Sequence, residues 1–214
     1  MPTPRKGYFL KDGTKVPSVT TILGRFKEAG GLMHWAWKCG TDGVDYRSVR
    51  DDAANAGTLA HDLIERHIKG DALSIEGPEE IVAKAKRAFD AYLNWADQTK
   101  IKVIETETAL VSEKHRYGGT FDGLGESNGK LVLLDWKASN SIYGDYLVQL
   151  AAYKNLIEET RDNQKISGFY LCRFGKDTGD FSVHQYGELD EAWEMFLCLR
   201  RAYELDKSVR KRAA

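Results

Sequence analysis

Proline, cysteine and net charge are all scarce here: the 214 residues include four prolines and three cysteines, and 31 Lys+Arg stand against 32 Asp+Glu for a formal charge of −1. With 42% hydrophobic and 29% charged residues, the composition excludes a disordered or fibrous chain. Cys39, Cys172 and Cys198 lie far apart with no CxxC spacing. That excludes a disulfide framework or a structural zinc site and fits buried thiols in a reducing compartment. No apolar run approaches the roughly 18 residues needed to span a bilayer, and Met1–Lys6 leads into no signal-peptide segment, so a cytoplasmic protein without a membrane partner is expected. Near-neutrality excludes a protein that coats nucleic acid through bulk positive charge, but not one that touches a few phosphates locally.

What is present fits one domain, 1–214, whose core can bury roughly 70% of its unfolded surface. Residues 1–100 read as helical. Ser18 caps a helix through Ile22 and Phe26 that Gly30-Gly31 breaks, Leu32–Lys38 is a short helix, Ala53–Lys69 ends at Gly70, and Pro78 opens a helix over Ile81 to Ala96. From Ile101 the period changes to strands at 103–111, 117–126 and 130–138. A helix at 145–159, strands at 166–173 and 181–186 and a helix from Asp190 to about Leu205 follow, with a basic tail over 207–214. The pattern predicts an α/β (α+β) fold, a central mixed sheet flanked by helices with a helical N-terminal addition.

Ser127-Asn128-Gly129 is a strong hairpin signal. With a two-residue loop, partners across the hairpin sum to 257, so Phe121 faces Trp136 and Asp122 faces Asp135. Two carboxylates about 5 Å apart repel by roughly 3 kcal/mol at an effective dielectric near 20, more than a good cross-strand pair returns. Such a pair wants a proton or a cation, and oxygen ligands on two strands suit Mg²⁺ or Mn²⁺. Lys137, two residues beyond Asp135, leaves the same face and could stabilise charge on a phosphate. The plain alternative is a shared proton or a simple Lys137–Asp ion pair.

Gly119-Thr120-Phe121-Asp122, Asp135-Trp136-Lys137 and Gln149-Leu150-Ala151-Ala152-Tyr153 resemble the motifs of RecB-like nucleases of the PD-(D/E)XK superfamily, and Gly57-Thr58-Leu59-Ala60-His61 resembles their GxxxH helix motif. The nearest flavour is the stand-alone exonucleases of viral recombination and mitochondrial genome maintenance. Pro17–Leu23 is more loosely similar to the N-terminal region of such small enzymes.

The resemblance implies a restriction-endonuclease-like core and a DNA exonuclease, acting on single strands and leaving 5′-phosphate and 3′-hydroxyl ends. It makes Asp122, Asp135, His61 and the Trp136 carbonyl the metal ligands and Lys137 the catalytic lysine, and it sets Gln149 and Tyr153 beside substrate. Thr58 and Ser139 are further substrate contacts, and Glu65, Glu107 and Tyr117 are candidates for the surrounding shell. Glu105 and Glu107 share a strand face by alternation, where a solvated surface is the simpler reading. A bacterium or a virus-infected host cell is the expected setting.

Phe121 stands where the family has its eponymous proline, and the second acid is Asp. Three scattered cysteines cannot hold the four-cysteine iron–sulfur cluster of some relatives. Gly129-Lys130-Leu131 fails the P-loop pattern, so no helicase motor is expected. An endonuclease of the same fold, a non-catalytic DNA-binding module and a hydrolase of small phosphate esters remain as alternatives. Trp35, Trp37 and Trp95 are candidates for stacking bases, with core packing as the simpler role.

Overall fold

The computed structural model describes residues 7–27, 30–162, 164–174 and 180–213. The N-terminal segment Met1–Lys6 and the last residue of the basic tail, Ala214, lie outside the described residues. A hairpin of two short strands, β1 (Tyr8–Phe9) and β2 (Lys15–Val16), comes first and was not legible in the sequence. Four helices follow: α1 (Val19–Phe26), α2 (Gly30–Thr41), α3 (Tyr46–Lys69) and α4 (Glu79–Thr99). Then come β3 (Lys102–Ser112), β4 (Tyr117–Ser127), β5 (Lys130–Ala138), α5 (Gly144–Thr160), β6 (Ile166–Phe174), β7 (Phe181–Tyr186) and α6 (Asp190–Ala213).

The five long strands form one mixed sheet in the order β3-β4-β5-β6-β7. All pairs are antiparallel except β5 and β6, which run parallel because α5 carries the chain back across the sheet. One face packs Leu133, Phe121 and Tyr117 against Leu150 and Leu156 of α5, Phe196 of α6 and Ile22 of α1. The other packs Leu134 and Trp136 against Leu63 of α3 and Phe89 and Tyr92 of α4. The expected architecture, a mixed sheet between helices with a helical N-terminal part, is the one found.

Several local readings change. Ser18 caps α1, its side chain accepting from the Thr21 N–H. Yet Gly30 and Gly31 begin α2 instead of breaking a helix. α3 starts two turns earlier than Ala53 because Asp45 caps it. The basic tail is helical, since α6 runs unbroken to Ala213. Of the three thiols only Cys172 is buried; Cys198 is exposed. Trp95 packs among Tyr92, Tyr170 and Phe181, whereas Trp37 on α2 is 64% exposed.

The β4–β5 register does sum to 257, from Ser127↔Lys130 to Gly123↔Leu134, and there the ladder stops. Phe121 therefore does not face Trp136: it lies in the α5-side core under the Arg161 guanidinium, while Trp136 lies in the α3–α4 core. Glu105 and Glu107 do not share a face either. Glu107 adopts φ +47, a left-handed conformation rare for a non-glycine residue, and the alternation of β3 breaks there. Glu105 turns to the α5 side and takes Arg161 in a bidentate ion pair, both contacts 2.7 Å.

Hydrogen bonds from Arg161 hold the Glu105 carboxyl below its ordinary pKa of 4.5. A depressed carboxyl contributes stability above the unfolded-state pKa and loses it as pH falls through the folded value. Glu105→Gln should therefore cost about 1 kcal/mol near neutrality, because the pair is partly solvated. In denaturant titrations the gap to the wild type should close as pH drops below about 4.5. A gap independent of pH would show that packing, not charge, holds this pair.

Candidate active site

Where β4 and β5 part company, side chains replace the ladder. The Trp136 N–H, with no β4 carbonyl opposite, donates to Asp122 Oδ2 at 3.0 Å. The indole of Trp136 lies where a side chain at position 123 would be: a Cβ on Gly123 would meet its Cη2 at 2.5 Å. Asp122 is thus tied to the backbone of the neighbouring strand, 1% exposed, with its Oδ1 buried and without a hydrogen-bond partner.

Asp135, fully buried, sits beside it. Burial first, and the Asp122 charge as well, raise its carboxyl to about 7 in spite of Lys137. Lys137 Nζ donates to Asp135 Oδ1 at 2.7 Å and stands 2.6 Å from Oδ2. Burial alone would lower the lysine pKa, but Asp135 and Asp122 outweigh it and push it up, keeping the ammonium charged. The same Nζ lies 5.5 Å above the Tyr146 ring of α5.

α3 delivers His61 from the opposite side. Gly70 closes this helix in a left-handed cap at φ +73, donating to the Arg66 and His67 carbonyls. A Cβ on Gly57 would come within 2.6 Å of Ala138 Cβ, so only glycine lets α3 lie against the end of β5. One turn later His61 Nε2 reaches the Trp136 carbonyl at 2.6 Å. The Gly-xxx-His spacing thus has a mechanical reading: close approach first, then reach. Burial lowers the His61 pKa and favours the neutral imidazole that a metal requires.

Glu107 faces the same gap. One ligand atom each from His61, Glu107 and Asp122 lie within 4.8 Å of one another. Burial, with Asp122 close by, pushes the Glu107 carboxyl up to about 7, and its Oε2 is buried without a hydrogen bond. The sequence reading gave this residue a lesser place than its position warrants. Its signal was its register: β3 and β4 pair with sums of 229 from Glu105↔Leu124 to Thr108↔Phe121, which sets Glu107 opposite Asp122.

The other candidates separate. Gln149 donates to the Tyr153 hydroxyl at 2.8 Å, both buried, and the Tyr153 ring fills the space that Gly119 leaves open. Thr58 and Glu65 line a cleft of about 560 Å³ with His61, Glu107, Trp136 and Lys137. Thr58 donates back to the Ala54 carbonyl, and Glu65 pairs with Lys69 in place of orienting His61. Ser139 is 3% exposed, and its hydroxyl is held in the turn after β5, donating to the Ser141 carbonyl at 2.7 Å. It does not open onto the cleft. Tyr117 is a core residue of the α5 face: its hydroxyl donates to the Ala152 carbonyl at 2.9 Å and its ring packs on Phe196.

Buried carboxylate oxygens without hydrogen bonds are costly unless something pairs with them. Glu107 Oε2 and Asp122 Oδ1, with a neutral imidazole and a backbone carbonyl beside them, form a hard, oxygen-rich donor set that suits Mg²⁺ or Mn²⁺.

No protein-family model matches the chain, and no curated protein does. Among solved structures, similarity extends to a protein of Eubacterium rectale assigned provisionally as an exonuclease, at TM-score 0.47 and 14% identity over 69% of this chain and 68% of that one. An alkaline exonuclease from Laribacter hongkongensis gives 0.40 and 12%, with 92% of each chain covered. The same enzyme in complex with dAMP gives 0.42 and 12%, over 76% of this chain and 90% of that one. At such values these are resemblances, and the case for an activity lies in the residues of the cleft.

Gly57→Ala should separate approach from chemistry. The new methyl group forces α3 off β5, an overpacking cost of about 1–3 kcal/mol. Wild-type protein should gain about 2.7 kcal/mol at a Mn²⁺ concentration 100 times its dissociation constant. The variant should need roughly tenfold or more Mn²⁺ for the same rise in melting temperature, with helix content unchanged by circular dichroism. An unaltered Mn²⁺ response would refute the positioning role of Gly57.

Proposed function

We propose that the chain is a divalent-metal-dependent deoxyribonuclease that hydrolyses phosphodiester bonds at the ends of DNA, preferring single strands and leaving 5′-phosphate and 3′-hydroxyl products. One observation carries this reading: three acids and a histidine from four separate elements converge on a gap in the sheet, two of their buried oxygens lack partners, and a charged lysine stands beside them. A core built only for stability has no use for that arrangement, since each unpaired group costs free energy.

His61, Glu107, Asp122, Asp135 and the Trp136 carbonyl would hold the ion. Bound there, Mg²⁺ or Mn²⁺ would supply Lewis-acid stabilisation of charge on the phosphate and make a water more acidic. Lys137 contributes a fixed positive charge: Asp135 keeps it protonated and anchors it at 2.7 Å, so it meets charge developing on a non-bridging oxygen without reorganising. Asp122, fixed through the Trp136 N–H, keeps its second oxygen directed into the gap. Gln149 and Tyr153 brace each other behind the acids and limit the freedom of the β4 strand at Gly119. The preference for single strands draws on α2, where exposed Trp37 sits 5.6 Å from the His34 ring and offers a face for a base.

Digestion of 5′- and 3′-labelled single and double strands tests the whole reading. Mg²⁺ or Mn²⁺ should support release of mononucleotides, EDTA should abolish it, and a circular single strand should survive. Lys137→Ala should lower kcat by about 10² or more while the Mn²⁺-dependent melting shift persists. Undiminished digestion by Lys137→Ala would sink the mechanism, and cutting of the circle would make the enzyme an endonuclease.

A further inference from the structure

Away from the cleft, the hairpin β1–β2, the β3–β4 turn and α6 enclose a second cavity of about 340 Å³. Four cations line it, Lys15, Arg116, Arg200 and Lys207, together with Tyr203 and a single carboxylate, Glu204. That carboxylate is already engaged, since Arg200 Nη1 lies 2.7 Å from Glu204 Oε1. Among the described residues none forms an ion pair with Lys15, Arg116 or Lys207. Asp12 is held in its own turn by Thr14, whose hydrogen bonds, ahead of the Arg116 charge, lower its carboxyl.

The cavity is built, not merely decorated with lysines. Arg200 is 8% exposed, and its Nε donates to the Arg116 carbonyl at 3.0 Å. The Arg116 N–H donates in turn to the Ser112 carbonyl, and its backbone is fixed at φ +56. A buried arginine thus locks the turn that presents a second arginine. Three uncompensated cations around one concavity repel each other, as the carboxylates do in the cleft, and the remedy here is an anion.

We propose that this cavity binds a backbone phosphate of the DNA chain, at a distance from the bond being cut. The location fits such a chain. From Arg116, which immediately precedes β4, to Asp122 within it is six residues, or about 20 Å of extended chain. The segment Lys15–Thr20 links the two regions. Pro17 lines the basic cavity, and Ser18 and Thr20 line a small hydroxyl-rich cavity, of about 100 Å³, shared with Thr120 and Tyr153 beside Asp122. A nucleic acid held at both ends would be retained after each cut.

The identity of the ligand as DNA rests on the nuclease reading above; the anion site itself does not. The test is anisotropy of labelled single strands of about 12 and about 3 nucleotides with Mn²⁺ in the Lys137→Ala background, where the cleft can hold its ion while cleavage is slowed, and only the longer strand can span ~20 Å. Lys15 and Lys207 are both exposed, so Lys15→Gln/Lys207→Gln should fold normally, as a thermal melt will verify. The advantage of the long strand over the short one should fall about tenfold, and the slope of log K against log salt should flatten by about 0.7, the loss of one phosphate contact on a single strand. Lys15→Arg/Lys207→Arg should restore both. An unchanged slope and length advantage would overturn the site. So would loss of inorganic phosphate binding by the Gln variant with the long strand unaffected, which would mark a small-anion pocket. If the wild type cleaves no DNA yet the Gln variant loses long-strand binding, the cavity inference stands and the nuclease reading fails.

Discussion

One interrupted hydrogen-bond ladder organises this molecule. β4 and β5 pair as an ordinary hairpin until Gly123↔Leu134, and beyond that the Trp136 N–H has lost its natural partner. A buried, unsatisfied N–H costs about 1–3 kcal/mol. The Asp122 carboxylate removes that cost by accepting from it at 3.0 Å. The indole of Trp136 fills the space above Gly123, so the strands do not close again without displacing a large buried ring. The gap is therefore a stable feature of the core, wedged by an aromatic and tied by a carboxylate. Asp135, Lys137, Glu107 and His61 are placed by reference to it.

The gap also explains how acids from both sides of a sheet come together. β5 alternates normally, with Leu133 on the α5 face and Leu134 and Trp136 on the α3–α4 face. By that alternation Asp135 and Lys137 belong to the α5 side, where Lys137 lies over Tyr146. His61 and Glu107 come from the α3 side. In a continuous sheet these two sets would be separated by a layer of backbone. Where the ladder is missing, they share one space.

Much of this was legible in the sequence, for reasons that differ by element. The hairpin register followed from Asn128-Gly129, because a two-residue turn fixes pairing by count. The helices followed from apolar spacing and from caps such as Ser18 and Gly70. What counting could not see was where pairing ends, because that depends on a tertiary contact between Trp136 and Gly123. The expected Phe121–Trp136 pair failed for that reason. Glu107 was undervalued because its left-handed backbone breaks the alternation from which its face was inferred. Tyr117 and Ser139, close in sequence to the motif residues, are turned into the core and into the turn after β5, where their hydroxyls donate to the Ala152 and Ser141 carbonyls. Gly30-Gly31 was misread because glycine at a helix start resembles glycine at a helix stop when no cap is visible.

The net charge of −1 now has a physical meaning. It conceals two concentrations of opposite sign that do not cancel locally. The cleft gathers Glu107, Asp122 and Asp135 against Lys137 alone, while the second cavity gathers four cations against Glu204. With no ion bound, the cleft repels a phosphodiester: at about 4 Å and an effective dielectric near 20, each like-charge contact costs roughly 4 kcal/mol. Burial first, with the Asp122 charge beside it, pushes Asp135 and Glu107 up to about 7, and a proton held there relieves part of this repulsion. A divalent cation relieves it more fully and reverses the local sign. Attraction of a polyanion to the cleft is thus conditional on metal, whereas attraction to the basic cavity is not. On the function and the basic site proposed above, a substrate would be held at a distance by permanent charge and admitted to the acids only when an ion is in place, so that binding and cutting would answer to different electrostatic conditions.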